Sequence, residues 1–153
     1  MPLQPGKEQG KYTTLYADLS NEAGIWGPIF EKALAKRFGN YEHIVSGVPS
    51  DAIRALTGSP FYMFEHKKQD VETLWQLLNT HDRHDDFITC GTEGYDDKSN
   101  PSSSGLDKGH AYVVLGTIKL NNGIRLVKIR SPWGSEGING VYSDTDAISA
   151  NAI

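Results

Sequence analysis

Hydrophobic and polar positions recur with two different periods along this chain, and the first regular segment is helical. Between residues 26 and 38 the apolar side chains fall on one face of a predicted helix: Trp26, Ile29, Phe30, Ala33, Leu34 and Phe38. The charged side chains are expected to face water: Glu31, Lys32, Lys36 and Arg37. Pro28 suits the first turn, where its missing N–H needs no partner, and Gly39 should end the helix.

A second main helix is predicted after Asp70, whose carboxylate can cap the first turn. Its buried stripe is expected to be Val71, Leu74, Trp75 and Leu78. A short helix is predicted over residues 49–56. Strands are predicted over residues 59–65 and 87–91, and residues 11–19 also have strand composition.

Two aliphatic and β-branched segments, residues 111–120 and 124–129, flank an Asn-Asn-Gly sequence. This pattern is typical of a β-hairpin, in which the two strands run antiparallel. His110 stands at the start of the first strand and Ser131 just after the end of the second. The hairpin therefore brings these two side chains to the same end of the sheet.

The pairing of His110 with Ser131 depends on the register of the hairpin. A two-residue loop would set His110 opposite Ser135, so direct contact with Ser131 requires either a bulge or a longer loop, and we expect one of the two. The pairing matters because a thiol or hydroxyl nucleophile needs an adjacent base whose ring is held by a third group. His110 alone would not make a site.

The bulk properties of the 153 residues indicate one globular domain over residues 12–153, preceded by a flexible lead-in over residues 1–11. The net charge of -4, without a Lys/Arg-rich face, argues against nucleic acid as a partner. No apolar run approaches the roughly 18 residues that span a membrane, and the N-terminus lacks the features of a signal peptide. With one unpaired cysteine, the expected location is the cytoplasm or an intracellular structure.

Three short segments, residues 109–112, 130–134 and 140–144, resemble the second protease-core subdomain of calpain-type cysteine peptidases. In that family the corresponding patterns are Gly-His-Ala-Tyr, Arg-Asn-Pro-Trp-Gly and Trp-Ser-Asp. The likeness extends upstream through the Trp26 helix and the loop after it, and covers roughly residues 12–144. It implies an α+β fold: a papain-like protease-core half with an antiparallel half-barrel sheet and two main helices.

The resemblance also assigns roles within the site. His110 falls on the family's catalytic histidine, and Ser131 on the asparagine that orients it. Trp133 falls on a tryptophan that shields this pair, although a core or interface aromatic is the other interpretation. The family's nucleophile belongs to a Gln-to-Cys-Trp block that the 153 residues do not contain, and Cys90 matches a buried, non-catalytic cysteine.

Calpain-like cores bind calcium in each subdomain, and here the first ligands would fall on Gly137 and Asp144. Gly137 offers no carboxylate, which leaves Glu136 as its substitute. A calcium site and a solvated acidic loop are therefore the two interpretations. The cluster around His81 and His84 suggests zinc only weakly, because no partnered ligand motif accompanies it.

The polar segment between residues 93 and 108 either gates a peptide-binding cleft, as the resemblance implies, or is a disordered surface loop.

Two functional hypotheses follow. In the first, the chain is the His-bearing part of a calpain-like cysteine peptidase, inactive by itself, which needs a Cys-bearing subdomain or partner protein to hydrolyse polypeptides. In the second, it is a degenerate calpain-like module, a pseudoenzyme that binds or supports other components of a larger assembly. The absent nucleophile and Ser131 favour the second for this chain alone.

Overall fold

The structure is a computed structural model that describes residues 3–5, 12–17, 24–95, 103, 105–134 and 141–143. The fold is α+β, as the family resemblance implies. The chain divides into two compact units, residues 1–61 and residues 62–153. The division of the chain into a lead-in over residues 1–11 and a domain over residues 12–153 stays a prediction. Among the described residues, no helix has both the length and the apolar character needed to cross a membrane.

The first unit combines a small strand pair with two helices. Strand β1 (Leu3–Pro5) pairs antiparallel with β2 (Tyr12–Thr14). Helix α1 (Trp26–Phe38) ends at Gly39, which has a φ of 107°. Glycine adopts this backbone conformation readily, whereas a residue with a side chain would be strained. Helix α2 (Pro49–Thr57) confirms the predicted short helix.

The apolar face predicted for α1 is wrong. Its large side chains are exposed, with Trp26 at 62% and Ile29 at 56%, whereas Pro28, Glu31 and Ala35 are buried. The backbone N–H of Ala17 donates a hydrogen bond to the Glu31 carboxylate, so the segment after β2 lies against the face that carries Glu31. Periodicity identifies which residues share a face but not which face another segment covers.

The strand predicted over residues 59–65 is also wrong. Residues 58–65 form no regular element, and a short 3-10 helix follows at His66–Lys68. Tyr62 is 80% exposed, and the division between the two units falls just before it. An apolar run becomes a strand only where a neighbouring strand satisfies its backbone groups, and in the described part of the chain none pairs with this one.

The second unit places helix α3 (Val71–Arg83) beside a three-stranded antiparallel sheet. The strands β3 (Ile88–Gly91), β4 (Ala111–Lys119) and β5 (Arg125–Arg130) lie side by side in this order. The Asp70 carboxylate caps α3 as predicted, accepting a hydrogen bond from the Thr73 N–H at 2.9 Å. Leu74, Trp75 and Leu78 are half-buried, but Val71 is 80% exposed and does not belong to the buried stripe.

Two polar contacts attach α3 to the sheet. Near the helix C-terminus, the Asp82 carboxylate accepts hydrogen bonds from the backbone N–H of Thr117 at 2.8 Å and from its hydroxyl at 2.7 Å. Near the N-terminus, Arg125 pairs with Glu72 at 2.8 Å, and its guanidinium lies 5.3 Å from the centre of the Trp75 ring. The helix is thus fixed against β4 and β5 at both of its ends.

The hairpin of β4 and β5 contains both irregularities that could bring His110 toward Ser131. Asn121–Gly123 form a three-residue loop between Leu120 and Ile124, with Gly123 at a φ of 87°. A register shift between Val114 and Gly116 leaves Leu115 as a bulge. Each irregularity moves the pairing by one residue relative to a two-residue loop.

Candidate functional site

The candidate site lies at the end of the sheet where β4 begins. Val113 pairs with Arg130, so the continued register places His110 opposite Trp133 and diagonal to Ser131. Side chains alternate between the two faces of a sheet, so His110 and Tyr112 lie on the same face. Ser131 and Trp133, which follow β5, stand opposite them and lie on that face too. The hairpin therefore assembles four side chains in one place.

His110 and Ser131 are in direct contact. The Nε2 atom of His110 lies 3.2 Å from the Ser131 hydroxyl oxygen, which is within hydrogen-bond distance. Both residues are buried, with His110 at 7% and Ser131 at 2% exposure. Since Nε2 faces Ser131, Nδ1 is the ring nitrogen left for a second partner. Ser131 therefore holds a fixed position beside the imidazole.

Two aromatic rings enclose the imidazole. The Trp133 ring lies 3.8 Å from the His110 ring between centroids, at an interplanar angle of 39°. The Tyr112 ring meets His110 edge-on at 4.9 Å and 87°. The Trp133 backbone N–H also lies 3.3 Å from the Ser131 hydroxyl oxygen, which can accept its hydrogen bond. Ser131 therefore links the imidazole to the backbone of the residue that covers it.

Hydrogen bonds from other segments hold the chain immediately before β4, and sequence reasoning missed them. The Thr92 hydroxyl accepts a hydrogen bond from the backbone N–H of His110 at 3.0 Å and donates one to the Asp107 carbonyl at 2.6 Å. The Tyr112 hydroxyl accepts from the Asp107 N–H at 2.9 Å. The one signal in the sequence was that Thr92 directly follows the predicted strand of residues 87–91.

Cys90 has none of the features of an activated nucleophile. It pairs with Tyr112 inside the sheet, is half-buried, and burial raises the pKa of its thiol. A reactive cysteine needs a lowered pKa, as at a helix N-terminus or beside a cation. The structure thus agrees with the interpretation of Cys90 as a packed, reduced thiol.

The metal hypotheses gain no support from the described residues. Glu136, Gly137 and Asp144, the positions named for calcium, lie outside the described residues. Within the described ranges, no group of three or more His, Cys, Asp and Glu residues could hold a metal. In the cluster suggested for zinc, His81 Nδ1 is 2.8 Å from the Asp86 carboxylate.

Residues 5–148 match the family described as calpain family cysteine protease. The chain therefore belongs to the calpain family of cysteine proteases. Its α+β architecture is consistent with one half of a calpain protease core.

Individual relatives support this assignment. The chain is 30% identical to calpain-9 of Rattus norvegicus over 126 residues, which are 79% of this chain and 18% of that protein. It is 32% identical to the calpain-type cysteine protease ADL1 of Oryza sativa subsp. japonica over 148 residues, 92% of this chain and 7% of that protein. With calpain-12 of Mus musculus the identity is 31% over 140 residues, 90% of this chain and 19% of the relative. The chain thus spans less than a fifth of the length of these relatives.

Proposed function

We propose that this chain supplies the catalytic histidine of a calpain-like cysteine peptidase and acts only with a cysteine-bearing subdomain or partner protein. The observation that carries the proposal is the buried contact between His110 Nε2 and the Ser131 hydroxyl beneath Trp133. It reproduces the relation of a general base to an orienting group, and it leaves Nδ1 for the nucleophile. Both residues lie in the unit of residues 62–153.

In this proposal His110 transfers protons between the nucleophile and the leaving group. Its Nδ1 atom accepts the proton of the partner's cysteine thiol, and the sulfur attacks the carbonyl carbon of a peptide bond in a polypeptide substrate. The protonated imidazole then gives its proton to the amine that leaves, and a thioester remains. His110 next deprotonates a water molecule, which hydrolyses the thioester and regenerates the thiol.

Ser131 and Trp133 assist without touching the reacting bond. A serine hydroxyl is shorter than an asparagine amide and can donate as well as accept, so it holds the imidazole less firmly than the family's asparagine would. Trp133 covers the hydrogen bond between His110 and Ser131 and excludes water from it. We expect a slower enzyme than a relative with asparagine at this position.

The chain by itself is proposed to be inactive, because its one cysteine is Cys90, whose thiol pKa is raised by burial. The natural coding region provides the test. If it encodes a Gln-to-Cys-Trp block, its full product should hydrolyse casein. His110→Ala should abolish that activity. The control His84→Ala, which changes an exposed histidine of the same unit, should preserve it. Activity that survives His110→Ala would overturn the proposal.

The second candidate function is a non-catalytic calpain-like module within a larger assembly, and Ser131 at the orienting position favours it. A full product that contains no cysteine block, or whose purified form leaves casein intact with and without calcium, would support this alternative. An intracellular location is proposed in both cases, since the single cysteine has no disulfide partner within the chain.

A further inference from the structure

We propose that Thr92 is a positioning residue for His110, which fixes the imidazole through the backbone of the histidine. The inference rests on the proposed function, in which His110 is the base. Thr92 contacts neither the imidazole nor any reacting atom in this role. It acts through hydrogen bonds that join the end of β3 to residues 107–110.

Strands β3 and β4 separate at the pair formed by Thr92 and His110. Gly91 pairs with Ala111, so Thr92 and His110 are the next pair of the antiparallel ladder. The Thr92 N–H donates to the His110 carbonyl at 3.0 Å, as the ladder requires. In a regular pair the return bond would run from the His110 N–H to the Thr92 carbonyl. Here the Thr92 hydroxyl accepts the hydrogen bond from the His110 N–H at 3.0 Å. The side chain of Thr92 thus takes the place of its own backbone carbonyl.

The same hydroxyl also holds the segment that leads into His110. Its single proton has two acceptors within range, the Asp107 carbonyl at 2.6 Å and the His110 carbonyl at 3.3 Å, and the shorter contact is the stronger bond. The Gly109 N–H donates to the Glu93 carbonyl at 3.2 Å, and Gly109 has a φ of 61°. Residues 107–110 are therefore fixed at several points, of which the Thr92 hydroxyl serves two.

The position of the backbone determines where the ring lies, since only two side-chain torsions separate the imidazole from the Cα atom. The contacts of the ring leave little room for displacement: 3.2 Å from Nε2 to Ser131 and 3.8 Å to the Trp133 ring. A misplacement of about 1 Å in a catalytic group can lower a rate by roughly a hundredfold. The loss of the Thr92 hydroxyl should thus disturb the site without removing any side chain from it.

Nuclear magnetic resonance of the isotope-labelled 153-residue chain tests this inference without any need for turnover. In the wild type, the ring current of Trp133 should displace the His110 ring resonances from those of the exposed His66 and His84. Thr92→Val keeps the shape of the side chain and removes the hydroxyl. It should move the His110 resonances toward those of the exposed histidines, whereas Thr92→Ser, which restores a hydroxyl, should return them to the wild-type positions.

Thr89→Val is the matched control, because Thr89 lies on β3, which Thr92 directly follows, and pairs with Val113. Among the described residues, Thr89 makes no hydrogen bond to residues 107–110. It should leave the His110 resonances in place. The inference is overturned if Thr92→Val leaves these resonances unmoved in a folded chain, or if Thr89→Val moves them equally. If Thr92→Val does not fold, amide hydrogen exchange of the wild type is the test. The His110 amide proton should be protected, because it is bonded to the Thr92 hydroxyl. Exchange at the rate of an exposed loop would refute the role of Thr92.

These outcomes are separable from those of the proposed function. A chain that passes the resonance test and yet gives no peptidase activity with any cysteine-bearing segment refutes the proposed function and leaves the structural role of Thr92 intact. In an active peptidase, Thr92→Val should lower kcat by about tenfold to a hundredfold with little change in KM. Thr92→Ser should recover most of that loss.

Discussion

The Nε2 atom of His110 lies 3.2 Å from the hydroxyl oxygen of Ser131, although 21 residues separate the two in the chain. Two irregularities of the hairpin produce this contact: the three-residue loop that ends at Gly123 and the bulge at Leu115. A regular hairpin with a two-residue loop would place His110 opposite Ser135. The register of the hairpin is thus part of the site.

Replacement of Ser131 by asparagine should improve catalysis and reduce stability. The Ser131→Asn variant would restore the family's acceptor for the imidazole. We expect the kcat of an active full product to rise at least about tenfold. The loss of an orienting residue can lower kcat by roughly ten-thousandfold, so this gain is a small part of the possible effect. Ser131 is only 2% exposed, so the larger side chain should cost about 1–3 kcal/mol of unfolding free energy. Steady-state kinetics and thermal unfolding measure the two effects.

Ser131→Ala is the control for that substitution, because it removes the hydroxyl without adding volume. It should lower kcat below that of the wild type. If Ser131→Asn were no faster than Ser131→Ala, an orienting role for residue 131 would be ruled out.

Gly123→Ala should destabilise the hairpin through backbone strain alone. Gly123 has a φ of 87°, and an added Cβ would meet nothing within 4 Å, so no clash contributes. The expected loss is about 1–2 kcal/mol, the usual cost of a left-handed conformation for a residue with a side chain. Gly123→Asn should lose less, since asparagine tolerates this conformation better. Equal losses for the two variants in chemical denaturation would contradict the assigned loop geometry.

Much of the secondary structure could be predicted because it depends on local sequence. The Asn-Gly loop, the cap at Asp70 and the helix stop at Gly39 all involve neighbours in the chain. Features that depend on distant partners could not be predicted. No residue type marks the bulge at Leu115, and the burial of Glu31 depends on a segment that packs against α1 from outside the helix.

The same distinction applies to the candidate site. His110 and Ser131 could be paired from the sequence because one hairpin connects them. Thr92 could not be identified, because its role arises only where β3 and β4 separate and a hydroxyl takes the place of a backbone carbonyl. A threonine next to a strand is otherwise an ordinary residue.

The cap of α3 should make the stability of its unit depend on pH in the acid range. Hydrogen bonds from Thr73 lower the pKa of Asp70 in the folded state. The stabilisation is therefore complete above the unfolded-state pKa and is lost as the pH falls through the lower, folded-state pKa. Asp70→Ala should lower the melting temperature at neutral pH, and the difference from the wild type should vanish in strong acid.

Asp70→Asn separates the cap from its charge. Asparagine caps helices as well as aspartate does, but its side chain does not titrate. The Asp70→Asn variant should therefore keep the stabilisation from the cap in acid, where the wild type loses it. Melting curves of the three proteins from neutral to acid pH would decide the matter. A constant difference between the wild type and Asp70→Ala at every pH would refute the assigned pKa shift.

Cys90 should react slowly with thiol reagents. Burial raises its pKa, so the thiolate fraction at neutral pH is smaller than for an ordinary cysteine. We expect the rate of alkylation by iodoacetamide, followed by mass spectrometry, to stay below that of a free cysteine at pH 7 and to increase above the usual thiol pKa. Rapid alkylation at neutral pH would indicate an activated thiol and reopen the question of a nucleophile within this chain.

The most direct test of the central claim is the peptidase activity of the full product of the natural coding region beside that of residues 1–153 alone, each assayed on casein with and without calcium. The account predicts no turnover by residues 1–153. For a full product with a Gln-to-Cys-Trp block, it predicts turnover that His110→Ala abolishes and Cys90→Ala leaves unchanged. Any turnover by residues 1–153, or activity of the full product that survives His110→Ala, would contradict it.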